Sequence, residues 1–262
     1  MEEAEKSVEP QRAKIKDLPR NVWAVGFTSL FMDISSEMVI NIVPLFLSNV
    51  LGVKTNIIGL IEGVAEATAS VLKLFSGWLS DKVGGRKWLA VLGYGLSALC
   101  KPFFYFADSW GMIAGVRWAD RVGKGIRTAP RDALVADSVR ADMRGLAFGF
   151  HRAMDTAGAM IGLIIAAIVV WLGQRANIDL TRPTFQTIVL ISLVPAFLAV
   201  LSLIIGAQDV KVEGQRALPK FSLKSMGKPF GIYLVIVSIF TLGNSSDAFL
   251  VLRAQNLGLS VL

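Results

Sequence analysis

One cysteine, Cys100, and one histidine, His151, stand in a chain of 262 residues. A lone cysteine closes no internal disulfide, and a lone histidine builds no His-rich metal cage. Neither a metal nor a cofactor is expected. Charge is scarce as well, at 18% Asp, Glu, Lys and Arg, against about 25% in a soluble domain. No Gly-x-x-x-x-Gly-Lys-Ser/Thr loop occurs, which excludes the ATPase subunit of a pump. No Ser/His/Asp order or zinc-ligand motif supports an intramembrane hydrolase, so an enzyme is not expected. The first twenty residues hold five acids, five bases and no apolar run. They lack the apolar core of a signal peptide and read as a cytoplasmic tail.

Apolar residues are what the chain has in excess, at 53%. That is more than a globular core hides, so a lipid solvent is implied. Seven long apolar segments lie near 21–50, 57–79, 88–107, 111–126, 145–172, 186–206 and 230–252. Most approach the roughly 20 residues a helix needs to cross about 30 Å of hydrocarbon. Backbone polar groups cannot go unpaired in lipid, so these segments are predicted to be helices. The expected fold is an all-α membrane bundle with its N-terminus in the cytoplasm.

Lys and Arg supply the orientation. With the tail inside, segments 1–20, 80–87, 125–144 and 207–229 carry seventeen bases, and the opposite segments 51–56, 108–110 and 173–185 carry three. This asymmetry follows the positive-inside rule. The net charge of +7 therefore reports topology, and no nucleic-acid partner is expected. The polar stretch 207–229 follows six spans and precedes one, as a linker between membrane domains would. The expected division is a tail (1–20), a six-helix domain (21–206), a cytoplasmic linker (207–229), and the first helix of an incomplete second domain (230–262).

A short repeat supports that division. Asp33-Ile34-Ser35-Ser36-Glu37 in the first span is echoed by Asn244-Ser245-Ser246-Asp247 in the seventh, with Ser-Ser-acid recurring at an offset of 210 residues. Such internal similarity is the mark of a transporter built from repeats. It predicts that a second copy begins at the seventh helix and that most of its C-terminal half is missing.

The spans carry seven acids (Asp33, Glu37, Glu62, Glu66, Asp120, Asp155, Asp247) and seven bases (Lys73, Lys101, Arg117, Arg121, Lys124, Arg152, Arg253). Each charge at the bilayer centre costs about 2.5–3.5 kcal/mol on insertion scales. They are expected to face inward, pair, or line water. Asp33 and Glu37 are four residues apart, on one helix face. Glu62, Glu66 and Lys73 fall within about 40° on the second helix at 100° per residue. Arg117 and Arg121 share a face of the fourth, with Asp120 beside them. A shared polar interior is predicted, acidic from helices 1 and 2 and basic from helix 4. Buried ion pairs that only fix packing are the plainer alternative. Gly59/Gly63, Gly111/Gly115 and Gly158/Gly162 have the spacing that brings helices close. Pro44 and Pro195 are expected to bend their helices.

Between the second and third spans the sequence reads Gly77-Trp-Leu-Ser-Asp81-Lys82-Val-Gly84-Gly85-Arg86-Lys87. This resembles the signature loop of the major facilitator superfamily, Gly-x-x-x-Asp-Arg/Lys-x-Gly-x-Arg/Lys, in the position where that family carries it. The stretches Arg121–Asp132 and Phe148–Asp155 are similar to a bacterial subgroup of these permeases. The resemblance implies twelve helices in two six-helix halves that rock around a central site, with helices 1 and 4 lining the cavity. It implies that Gly77 permits tight packing and that Asp81, Gly84, Arg86 and Lys87 form a conformational latch against the opposite half. Arg117 or Arg121 matches a basic residue linked to proton coupling. Gly158-Ala-Met-Ile-Gly162, with Asp155 one turn earlier, resembles the helix 5 antiporter motif but lacks its usual proline.

The expected function is a secondary active transporter in the cytoplasmic (inner) membrane, proton-coupled, moving a small polar or ionic solute, with export favoured over uptake by symport. Asp33 and Glu37 are the candidates for the titrating group. A non-transporting membrane receptor or scaffold is the alternative of another class.

Overall fold

The computed structural model describes residues 14–174, 179–210, 227–243 and 246–259. Among them there is no strand. The helices are α1 (Arg20–Ile40), α2 (Val43–Leu45), α3 (Thr55–Val83), α4 (Arg86–Cys100), α5 (Pro102–Tyr105), α6 (Trp110–Ser138), α7 (Arg144–Gln174), α8 (Arg182–Gly206), α9 (Gly227–Leu242) and α10 (Asp247–Asn256). By length and apolar composition, Arg20–Val50, Ala141–Gly173, Arg182–Gly206 and Gly227–Asn256 can cross a membrane. Helices α3 and α6 have 29 residues each, about 43 Å at 1.5 Å per residue. They are long enough to span, although they carry more charge than the other four.

Each turn has a local cause. Helix α3 stops at Gly84, whose φ of +70° is cheap only without a Cβ. Gly85 then caps α4. Ser109 caps α6 by accepting from the Met112 N–H. The first span is not one helix. It breaks at Asn41 and Ile42, restarts with Pro44 in the first turn of α2, and closes in a wide turn over Phe46–Val50. Pro195, by contrast, sits inside an uninterrupted α8.

Helix α1 is the central post. It packs chiefly on α7 and α8, while α6 packs on α3 and α4. Close approaches are made where glycines leave room. A Cβ on Gly162 would lie 2.5 Å from the Ile34 carbonyl oxygen, and one on Gly158 would collide with that of Leu30. Gly93 and Gly123 face each other across α4 and α6, where a Cβ on either would stand within 2.7 Å of the other's carbonyl oxygen. Spacing alone misleads at Gly63, Gly111 and Gly115, where nothing lies within 4 Å. A Cβ on Gly59 would collide with the Phe249 ring of α10, and one on Gly77 would make an ordinary 3.4 Å contact with the Ala129 side chain.

Two apolar cores occupy opposite ends of the bundle. One gathers Met38, Phe46, Ile58, Ile113, Phe185 and Ile188, with Phe46 stacked on Phe185 at 3.9 Å. The other gathers Val22, Met32, Tyr94, Leu134, Ala147 and Leu203. The outward faces remain apolar, including Leu74 and Phe75 on α3, Ile164 and Leu172 on α7, Val194 and Leu201 on α8, and Ile236 and Phe240 on α9. This is a face suited to acyl chains rather than water.

Three segment predictions need correction. The fourth span runs to Ser138 instead of ending near 126. Its polar half reads as loop because its charges satisfy themselves by contact: Arg127 donates to Ser97 at 2.8 Å and covers the Tyr94 ring at 4.4 Å. The seventh span is divided between α9 and α10, so the second Ser-Ser-acid copy is not inside a continuous helix. Ser246 is the cap of α10 and Asp247 lies in its first turn, while Asn244 and Ser245 lie outside the described residues. The third span is cut at Lys101, between α4 and α5. Most of the 207–229 stretch (211–226) also lies outside the described residues.

A charged cavity between the helices

Six of the charges within the spans gather around one cavity. Arg117, on the inner face of α6, is only 2% exposed. It grips Glu62 of α3 with two parallel bonds, Nε to Oε1 at 2.9 Å and Nη2 to Oε2 at 2.5 Å. A guanidinium matches a carboxylate in this fork-to-fork way better than any other cation. One turn on, Arg121 Nε lies 3.1 Å from Glu66 Oε1. Arg117 also stands 3.9 Å from Glu66 and 3.9 Å from Asp120. The i, i+4 spacing of each pair is what aligns two acids on α3 with two bases on α6.

These four residues form one wall of a cavity of about 660 Å³. Glu37 and Ile40 of α1, Asn41 at its end and Pro44 of α2 form another, and Thr241 of α9, Ser246 at the α10 cap, and Asp247, Ala248 and Val251 of α10 close it. Glu62 lies seven residues beyond the start of α3, about 10 Å along the axis. The cavity thus occupies the half of the bundle nearer the 51–54 turn. Glu37 accepts a bond of 2.8 Å from the Asn41 amide, which fixes its carboxylate toward the space.

The other predicted residues fall elsewhere. Asp33 is not among the lining residues. It sits one turn behind Glu37, in the field of Asp155, Arg127 and Lys124. Asp120 is buried behind the wall at 5% exposure, and Lys73 is not part of the cavity. Asp155 lies on α7, 3.7 Å from His151 and 3.8 Å from Arg152. Gly158 and Gly162, on the same helix, make the α1 crossing described above.

At the opposite end, Arg86 is buried between Asp81, at 3.5 Å, and Asp137 of α6, at 2.9 Å. The Lys87 N–H donates to Asp209 at 2.9 Å, and Lys87 Nζ to the Ile204 carbonyl at 2.8 Å. The loop of Gly77, Asp81, Gly84, Arg86 and Lys87 is therefore tied to α6 and to the end of α8.

Two polar nodes escaped the sequence reading. Lys101, 2% exposed, donates to Ser35 and, at 3.1 Å, to Ser36. The repeated Ser-Ser pair thus holds an amine at the α4–α5 break. His151 meets Ser29 at 2.8 Å, and Ser29 meets Tyr94 at 3.3 Å, joining α7, α1 and α4. A lysine and a serine pair inside apolar segments were visible in the sequence, but their partnership across 65 residues was not.

An all-α bundle with an apolar exterior, long helices and a charged interior defines a multi-pass membrane protein. The chain belongs to the major facilitator superfamily, whose family model matches residues 25–262. It is 34% identical over 252 residues to an uncharacterized MFS-type transporter of Methanocaldococcus jannaschii, covering 96% of this chain and 61% of that protein. An uncharacterized protein of Mycobacterium tuberculosis is 33% identical over 149 residues, 56% of this chain and 36% of that protein. Among solved structures, a POT family transporter in complex with 5-aminolevulinic acid aligns with a TM-score of 0.66 and 16% identity. That alignment covers 89% of this chain and 48% of the other, a likeness of fold. The chain spans less than two thirds of the length of the curated relatives it matches. The family and the relative named for its activity are transporters, not enzymes.

Proposed function

We propose that the chain forms the first six-helix domain, and the start of the second, of a secondary active transporter in the cytoplasmic membrane. Coupling to protons, and export as the direction, complete the reading. The observation that carries it is the cavity that gathers Glu37, Glu62, Glu66, Arg117, Arg121 and Asp247 inside an otherwise apolar bundle. Unpaired charge in such surroundings is expensive, and a carrier is the kind of protein that retains it. Glu37 is the better placed of the two candidate protonation sites, because it faces the cavity while Asp33 stands behind it. The Asp81–Arg86–Asp137 cluster holds the far end of α3, α4 and α6 together and releases it when the two halves rock.

The test is flux in proteoliposomes of the full-length protein carrying a pH-sensitive dye. Solute addition should drive a pH change in the wild type and none in Glu37→Gln. Proton movement opposite to the solute marks export by antiport, and movement with it marks symport. Solute flux that leaves the dye unchanged would reject proton coupling.

A further inference from the structure

The charge balance of the cavity points to its ligand. Four carboxylates line it (Glu37, Glu62, Glu66, Asp247), and among the described residues only two cations do, Arg117 and Arg121. Both cations are committed: Arg117 to Glu62 through two hydrogen bonds, and Arg121 to Glu66 at 3.1 Å. The guanidiniums are also withdrawn, at 2% and 4% exposure, whereas the Glu66 side chain is 55% exposed. Glu37 and Asp247 remain, on walls contributed by α1 and α10. Among the described residues the Glu37 carboxylate receives a hydrogen bond only from the neutral Asn41 amide, and no cation lies within 4 Å of Asp247. Among the described residues the cavity therefore has two carboxylates in excess, in walls of low dielectric that focus the field on whatever enters.

The lining also says what kind of cation. Among the described residues it contains no aromatic ring, so these offer no cage for a quaternary ammonium. It offers hydrogen-bond acceptors instead: the Glu37 and Asp247 carboxylates, with the Thr241 and Ser246 hydroxyls beside them. At about 660 Å³ the space lies within the roughly 300–1,000 Å³ range of small-molecule sites.

We propose that the cavity takes solutes bearing primary ammonium or guanidinium groups, with up to two positive charges, in preference to quaternary ammonium ions and anions. This rests on the carrier reading for its biological sense, but binding can be measured without flux. The experiment titrates the purified full-length protein with putrescine, lysinamide, choline and succinate, following calorimetric binding and the melting temperature. Putrescine and lysinamide should bind and raise the melting temperature, with choline and succinate at least tenfold weaker. Glu37→Gln and Asp247→Asn should each weaken putrescine binding at least tenfold. Both should leave the ligand-free melting temperature equal or higher, since each removes an unmatched charge. A purely structural role would lower that temperature instead and sink the assignment. Equal binding of choline would overturn recognition through N–H donors, and preferential binding of succinate would overturn the cationic class. Amine binding without flux would refute the carrier and leave the ligand class standing, whereas proton-linked flux of an anion would do the reverse.

Discussion

Removing the charge of Glu62 would test whether the α3–α6 wall is a compensated pair. In Glu62→Gln the shape survives, but Arg117 keeps carboxylates only at 3.9 Å, on Glu66 and Asp120. A guanidinium at 2% exposure would then be desolvated with no fork to hold it. Breaking a buried pair from one side costs about 3–5 kcal/mol. At roughly 2–4 °C per kcal/mol for a chain of this size, that is a fall of about 6–20 °C in melting temperature. Removing both partners, as in Glu62→Gln with Arg117→Met, should recover most of the loss, to within about 1–2 kcal/mol of the wild type. Asp120 does not become the new orphan, because Arg121, Lys101 and Arg127 also act on it. Thermal unfolding in detergent of the two single variants and the double variant closes the cycle. A Glu62→Gln protein that melts with the wild type would refute the reasoning, as would a double variant that loses the sum of the singles.

Other substitutions probe the surrounding architecture. Gly162→Leu should separate α1 from α7, because even its Cβ has only 2.5 Å to the Ile34 oxygen. Overpacking of that kind costs about 1–3 kcal/mol or more, whereas Gly115→Leu, with nothing within 4 Å, should melt unchanged. Arg86→Ala removes the buried 2.9 Å ion pair to Asp137, so the variant should lose about 3–5 kcal/mol and expose the 84–85 turn to protease. Phe185→Ala removes the ring stacked on Phe46 and should cost about 3–5 kcal/mol by thermal melt. Lys101→Met keeps the volume of the stem and discards a buried amine. It should melt at or above the wild type, while Lys101→Ala should melt lower.

What the sequence revealed followed from the solvent it implied. Apolar runs separated by short polar breaks gave the positions of the helices, and charges at i, i+4 marked the faces that turn inward. Glu37, Glu62, Glu66, Arg117 and Arg121 were all nominated that way, and all line one cavity. Hydropathy failed wherever polarity was satisfied by a partner. The C-terminal half of α6 looked like loop because Arg127 counts as a charge in a window, although in the fold it is capped by Ser97 and Tyr94. One break inside an apolar run was written in the sequence but read as span: Gly243-Asn244-Ser245-Ser246-Asp247 follows directly on Leu242, where α9 stops. Glycine spacing could not say which face a pair occupies, so Gly158 and Gly162 looked no different from Gly111 and Gly115. Long-range polar partners such as Lys101 with Ser35 and Ser36 depend on how helices cross, which a one-dimensional pattern does not encode.

The central claim is that the acids and guanidiniums face an aqueous hollow and not lipid, and solvent access measures it directly. Cys100 is buried and is the natural cysteine to remove. In a cysteine-free background of the full-length protein, Cys100→Ser included, single cysteines at Glu66, Asn41, Val194 and Leu201 would be challenged in intact membranes with a charged thiosulfonate. Glu66→Cys and Asn41→Cys should react readily and be protected by putrescine, while Val194→Cys and Leu201→Cys on the outer face of α8 should stay inert. Labelling of the α8 positions with silence at 41 and 66 would mean that the charges are sealed in or turned outward, and would contradict the account.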